Sequence, residues 1–301
     1  MQKTLISIIG STGIGKTKLA IEMAKHFGTE IISCDSRQFF KEMKIGTATP
    51  TDEELAQAKH HFIGHLSVQD YYSIGQYEED ALEKIEEIFE KNDFAVLVGG
   101  SMMYEKAVVE GLNDLPEANA ENQEKLQKIL DEEGLGKLQE ILKNLDEEYY
   151  NVVHKENPRR LLRAIDVIWQ TGRKYSEIIA EPKHKRDFKV IRIGITAPRE
   201  IMYERINLRV DKMLEKGLID EVKSLTKYQN LVPLQTVGYT EIFKYLEGTW
   251  DLDFAVEEIK KNSRRYAKRQ ETWNRKVENV TWLPYDYSEE QLHEILSKIE
   301  K

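Results

Sequence analysis

Hydrophobic positions in the first hundred residues follow two alternating rhythms. Leu5-Ile-Ser-Ile-Ile9 is a short apolar run that stops at a glycine-rich segment, and Leu19, Met23, Ala24 and Phe27 then recur at helical spacing. The order is strand, loop, helix. Glu30-Ile-Ile-Ser-Cys34 predicts a second strand closing on Asp35, and Phe94-Ala-Val-Leu-Val98 a third closing on Gly99-Gly100-Ser101. Between them, Leu82, Ile85, Ile88 and Phe89 share one helical face. Short apolar strands alternating with helices predict an α/β fold with a doubly wound, mostly parallel sheet, whose ligands bind at the carboxyl ends of the strands. Gly10, Asp35 and Gly99-Gly100-Ser101 all fall at such ends.

The rhythm breaks after Gly111. Residues 117–149 are helical, strongly charged and acid-biased, residues 157–186 turn basic, and neither stretch carries a strand pattern. Strand character returns at Val190-Ile-Arg-Ile-Gly-Ile-Thr196, helices dominate from residue 200 to about 276, and Val280-Thr-Trp-Leu283 predicts a last edge strand. The expected organisation is a core domain of residues 1–112 and 188–301, interrupted by a helical insertion domain of residues 113–187.

Composition narrows the function classes. With 44 basic and 53 acidic residues the net charge is −9, so an anionic partner must be met by a local basic patch. Cys34 is the only cysteine, which excludes a disulfide framework and a cysteine-rich zinc or iron–sulfur module and fits a reducing, cytoplasmic compartment. The longest early apolar run is too short for a signal-peptide core or a membrane span, so no membrane partner is expected.

Gly10-Ser11-Thr12-Gly13-Ile14-Gly15-Lys16-Thr17 fits the P-loop pattern G-x-x-x-x-G-K-[ST]. The backbone N–H groups of such a loop and the following helix N-terminus form a concave anion site, completed by the lysine ammonium. Thr17 is the expected Mg²⁺ contact, direct or through water. Nucleotide hydrolysis would ask for a carboxylate at the end of a neighbouring strand, but glycines and Ser101 follow residues 94–98. The acid at a strand end in this half is Asp35, either a helix cap or, beside a phosphate site, a general base or metal-orienting group. Arg205 and Arg209 stand four apart on one helix face, either solvated or clamping a diphosphate.

Residues 260–276 hold eight basic side chains, Lys260, Lys261, Arg264, Arg265, Lys268, Arg269, Arg275 and Lys276, with Tyr266 and Trp273 interleaved. That composition suits a phosphate-backbone footprint or a solvated helix. Pro158-Arg159-Arg160-Leu161-Leu162-Arg163 is a second basic stretch. His60, His61 and His65 lack a nearby carboxylate in sequence and Gly64 interrupts them, which argues against metal ligation. Cys34 is expected to be a core residue.

Eight segments in order resemble the tRNA dimethylallyltransferase (tRNA isopentenyltransferase) family over nearly the whole chain. They are the P-loop, Asp35-Ser36-Arg37-Gln38, Ile45-Gly46-Thr47-Ala48, Val98-Gly99-Gly100-Ser101, Asn157-Pro158-Arg159-Arg160-Leu161-Leu162-Arg163-Ala164, Arg205 with Arg209, Val237-Gly238-Tyr239, and Lys268-Arg269-Gln270 before Thr272-Trp273. The resemblance implies prenyl transfer from dimethylallyl diphosphate to N6 of the adenosine 3′-adjacent to the anticodon of tRNA, with Mg²⁺ and release of diphosphate. It implies Asp35 as base, Ser101 as a hydroxyl lining the reaction channel, and residues 10–17 with Arg209 as the diphosphate grip. It further implies tRNA contacts at Asp35, Ser36, Arg37, Gln38, Ser101, Gln123 and residues 159–163. Ser11, Gly13, Ile14, Phe40 and Thr49 depart from the family's commoner residues, as does Gln123, where Arg is common. A bacterial-type enzyme is expected, since the zinc-finger extension of eukaryotic members does not occur in this sequence; a monomer is expected. The alternatives are a P-loop small-molecule or nucleotide kinase and a P-loop RNA-binding regulator without catalysis.

Overall fold

Along the first apolar run, Leu5 packs into one hydrophobic core while Ile6 and Ile8 pack into another, so the segment is buried on both faces as a central parallel strand must be. The computed structural model describes residues 2–300. Strand β1 (Thr4–Gly10) leads into α1 (Lys16–Phe27), and β2 (Ile31–Ser33) is followed by the single turn α2 (Asp52–Leu55). Next come β3 (His60–His61), α3 (Ile74–Lys91), β4 (Phe94–Val98) and α4 (Met102–Glu110). After the intervening helices α5 (Ala120–Glu133), α6 (Leu135–Leu145), α7 (Glu147–Val152), α8 (Pro158–Thr171) and α9 (Tyr175–Ala180), the sheet resumes with β5 (Lys189–Thr196). Helices α10 (Arg199–Glu215), α11 (Leu218–Ser224), α12 (Tyr239–Leu246) and α13 (Leu252–Asn274) precede β6 (Val280–Pro284) and α14 (Glu289–Ile299).

The six strands form one sheet in the order β3-β2-β4-β1-β5-β6, and every pairing is parallel. The predicted third strand is therefore fourth in the chain, because the unpredicted pair His60–His61 adds an edge beside β2. The second strand is shorter than the apolar run: beyond Ser33 the Cys34 amide still donates to Val98 O at 2.8 Å before the chain turns at Asp35. Leu5, Ile32, Ala95 and Leu97 face the core beneath α3 and the later helices, and Ile31, Val96 and Val98 face the core beneath α1 and α14.

Two compact units divide the chain, one of residues up to 109 and from 186 onward, the other of residues 110–185. The second unit contains α5–α9 and no strand among the described residues, around its own core of Leu126, Leu138, Leu142, Leu161, Ile165 and neighbours. The helical stretch predicted over 117–149 breaks into α5, α6 and α7, at Gly134 with φ 81° and at Asp146, whose side chain caps α7 through Tyr149 N. Among the described residues no helix is long and apolar enough to cross a membrane.

One buried polar cluster fastens β1 and β5 to α4. Glu105 is 6% exposed, accepts from Ser7 Oγ at 2.9 Å and pairs with Arg192 Nε at 3.0 Å. Glu105→Ala deprives both donors of this acceptor and is expected to cost about 3 kcal/mol, the order seen when one partner of a buried pair is removed. Urea titration of the two proteins measures it, and an unchanged midpoint would mean that the cluster contributes no net stability.

Candidate active site

The glycine-rich loop turns at the carboxyl end of β1 with Gly10, Gly13 and Gly15 at φ 150°, 75° and 113°. Gly15 stands as N-cap of α1 and supplies no side-chain cap, so the first amides of the helix face outward for an anion. Lys16 Nζ donates to Gly10 O at 3.0 Å and Ser11 O at 2.8 Å. Burial lowers its pKa from 10.5 to about 8, Asp35 offsets part of that, and Arg209 adds to it. Burial also lowers the Arg209 pKa, again partly offset by Asp35. Two cations and one carboxylate thus share a poorly solvated space.

Asp35 sits just past β2, where its Oδ1 accepts from Arg37 N at 3.1 Å and sets the turn. The end of β4 approaches so closely that a Cβ on Gly99 would lie 2.4 Å from Cys34 C, and one on Gly100 2.9 Å from Asp35 Oδ2. The paired glycines are therefore required by the contact between two strand ends, and the Asp35 carboxylate lies against Gly100. The Cys34 thiol is buried, and burial with Glu105 and Asp35 nearby raises its pKa well above the ordinary thiol range, as an unreactive core residue requires.

Thr12 to Lys18, Asp35, Gln38, Gly99, Gly100, Arg205, Arg209, Tyr266 and Gln270 line one cavity of about 1030 Å³. The structure therefore brings the P-loop, Asp35, Gln38 and both arginines together. Arg205 Nε donates to Gly13 O at 2.9 Å, and Arg209 Nη2 to Thr47 O at 3.1 Å. Ser101, expected in the channel wall, instead engages Ser36: its Oγ accepts from Ser36 N at 2.9 Å and stands 2.9 Å from Ser36 Oγ, fastening the loop that carries Asp35. Ser36, Arg37 and Ser101 are half-buried beside the cavity rather than in its lining.

The segment Ile45-Gly46-Thr47-Ala48 gains its role only in three dimensions. Glu221 accepts from Ile45 N at 2.7 Å and Gly46 N at 2.9 Å, and Tyr239 OH donates to the same carboxylate at 2.6 Å. So braced, the loop turns its Thr47 and Ala48 carbonyls to Gln38 Nε2 at 3.3 Å each. Neither Glu221 nor the use of Tyr239 was legible in sequence, although Val237-Gly238-Tyr239 marked the place.

Helix α13 is only half a solvated basic face. Lys260 pairs with Asp211 at 2.9 Å, Lys261 with Glu258 at 2.6 Å, and Arg264 donates to Asn207 at 2.7 Å. Arg265, Lys268, Arg269, Thr272 and Trp273 of α13, with Lys276 just past its end, line a groove of about 420 Å³. The sequence pattern marked Tyr266 and Gln270 on this helix but did not show that they turn inward and reach the cavity.

In the second unit Arg159 and Arg160 are exposed on the first turn of α8, where Asn157 caps the helix through Arg160 N. Leu161 and Leu162, expected among the tRNA contacts, are 0% and 9% exposed, and their side chains belong to the core of this unit. Arg163 pairs with the buried Asp166 at 3.2 Å, and Gln123 is half-buried on α5. Of the histidines, His61 is paired with Glu30, a carboxylate 31 residues away that the sequence reading did not bring near. No group of three metal-ligating side chains occurs among the described residues.

A glycine-rich loop of the P-loop pattern at the head of an all-parallel sheet, opposed by a carboxylate and two arginines in one cavity, defines a P-loop α/β protein. A family model described as IPP transferase matches residues 38–277. The tRNA dimethylallyltransferase of Christiangramia forsetii is 49% identical over 300 residues, covering 99% of each chain. The crystal structure of the tRNA isopentenylpyrophosphate transferase of Bacillus halodurans is 35% identical with a TM-score of 0.73, covering 99% of this chain and 96% of that one. A eukaryotic dimethylallyltransferase, solved acting on tRNA, is 26% identical with a TM-score of 0.85, covering 99% of this chain and 78% of that one. The chain belongs to the IPP transferase family.

Proposed function

We propose that this chain is a tRNA dimethylallyltransferase that moves a dimethylallyl group from dimethylallyl diphosphate to N6 of the adenosine 3′-adjacent to the anticodon. The observation that carries the reading is the single cavity in which the P-loop faces Asp35 while glycines, not an acid, end β4. Such a grip suits a departing diphosphate and does not have to activate water. The N6 lone pair forms the new bond to C1 of the allyl group, the C1–O bond breaks, and the electron pair leaves with the diphosphate. Asp35 takes the N6 proton and returns it to solvent. Lys16, Arg209 and the amides at the start of α1 stabilise the charge that develops on the diphosphate.

The donor set at the loop suits Mg²⁺: the Thr17 hydroxyl follows Lys16 in the cavity wall, and since the described residues include no group of three metal-ligating side chains, substrate oxygens and water would supply the other ligands, the usual arrangement beside phosphates. When bound, the ion would offset charge on the leaving group. An adenine buried in a stacked anticodon loop must be splayed out to reach Asp35, and Gln38 stands in the same wall to read it. Arg159 and Arg160 on the second unit and the outer stripe of α13 are the proposed tRNA backbone contacts.

Incubation with labelled dimethylallyl diphosphate, Mg²⁺ and total tRNA tests the assignment. Label should enter RNA; ATP-dependent turnover without it would favour a kinase, and RNA binding without product a regulator. The stripe has its own readout: affinity for an anticodon stem-loop should fall at least about tenfold between 50 and 200 mM salt, as expected when several phosphates are contacted. Lys268→Glu with Arg269→Glu should flatten that slope, and an unchanged slope would remove the stripe from the interface.

A further inference from the structure

We propose that Gln270 is a positioning residue that sets the spacing between the diphosphate-holding loop and the base, an inference that rests on the reading of this cavity as a prenyl-transfer site. Gln270 projects from α13 and is 1% exposed. A glutamine buried this deeply is costly unless both ends of its amide are bonded. Both are, and to different strand-end loops. Its Oε1 accepts from Thr12 N at 2.8 Å, inside the P-loop, and its Nε2 donates to Gly100 O at 2.8 Å, in the loop that follows β4.

The second anchor bears directly on the base. A Cβ on Gly100 would lie 2.9 Å from Asp35 Oδ2 and 3.3 Å from Gln270 Nε2, so the carboxylate and the amide flank the same glycine. Gly100 O also accepts from Tyr266 OH at 2.8 Å, one helical turn earlier on α13, which uses the second lone pair of that carbonyl. One rigid helix therefore fixes the leaving-group side of the cavity through Thr12 and the acceptor side through Gly100. Transfer needs the nucleophile, C1 and the departing oxygen in line, and a displacement of about 1 Å in such an arrangement can cost on the order of 100-fold. Gln270 need not touch either substrate to control this distance.

Gln270→Met keeps the length and bulk of the side chain and removes both hydrogen bonds. The prediction is a fall in kcat of roughly 30- to 100-fold, with KM for tRNA and for dimethylallyl diphosphate each within about threefold of the parent. Gln270→Glu restores only the acceptor for Thr12 N and sets a carboxylate by the diphosphate site, so it should weaken binding of inorganic diphosphate at least about tenfold where Gln270→Met does not. Tyr266→Phe, which leaves the Gln270 bridge whole, should lose less kcat than Gln270→Met. Thermal melts and stem-loop binding are measured on the same preparations. A Gln270→Met enzyme with parental kcat, or one whose loss of activity is accounted for by a loss of folded protein or by a rise in KM, would overturn the proposal. If the unsubstituted protein itself delivers no label to tRNA, the prenyl-transfer reading fails instead, and the two failures are told apart by that control.

Discussion

Asp35→Asn is expected to slow transfer to an anticodon stem-loop by roughly 10²- to 10⁴-fold, the contribution of a positioned general base, while stem-loop affinity stays within about threefold. Asparagine is the informative replacement because Oδ1 of Asp35 accepts from Arg37 N at 3.1 Å, a bond an amide oxygen can keep. The turn after β2 is thereby preserved and only the proton acceptor is lost. Asp35→Ala removes both, so a further drop in that variant reports the turn rather than the base. Single-turnover measurements with labelled donor, paired with binding at matched salt, separate the two. Parental turnover in Asp35→Asn would sink the assignment of the base. A large loss of binding would instead show that Asp35 chiefly reads the adenine edge.

The second large effect concerns Lys16. Lys16→Met should lower kcat/KM by on the order of 10³-fold, as loss of one fixed charge-stabilising donor does, and should abolish measurable affinity for inorganic diphosphate. The sign of its pH dependence follows from the lowered pKa of about 8. As pH rises through 8 the buried ammonium loses its proton, so diphosphate affinity should fall between pH 7 and 9.5, approaching tenfold per unit. Lys16→Arg, charged throughout, should flatten the curve. The same shift acts oppositely on folding. Between about 8 and 10.5 the unfolded chain holds a proton that the folded chain releases, so the burden of the buried charge is present below that window and relieved as pH rises through it. Lys16→Met should therefore melt at a higher temperature than the parent at pH 7 while being inactive, the trade expected where a site is held at the expense of stability. Calorimetry at pH 7 and 10 checks this: the difference should shrink at the higher pH, and a lower melting temperature for the variant at pH 7 would contradict it.

Local chemistry was legible because it is local. The P-loop is a run of neighbours whose glycines, lysine and threonine act together wherever a strand meets a helix, so Gly10 to Thr17 could be read directly. Asp35 and Gly99-Gly100 could be read as strand ends because apolar runs announce the strands, and a parallel sheet places all such ends on one side. The short edge strand at His60–His61 could not, since two half-buried residues carry no periodicity. That the side chains of Leu161 and Leu162 point inward could not be read, because a motif gives order along the chain and not direction from a helix. The Ser101 hydroxyl could be assigned to the end of β4, but its bond to Ser36, 65 residues away, depends on how two strand-end loops meet, which sequence does not encode.

By itself, then, the sequence determined the class of fold, the position of the glycine-rich loop and the acid that shares its cavity. The tertiary structure alone decided what holds them at working distance: Glu221 beneath the 45–48 loop, Arg209 on Thr47, and Gln270 between Thr12 and Gly100. Gln270 bonds to residues 258 and 170 positions away. Contacts across such separations arise only when the whole sheet and its covering helices have packed, and no pattern among neighbouring residues carries that distance.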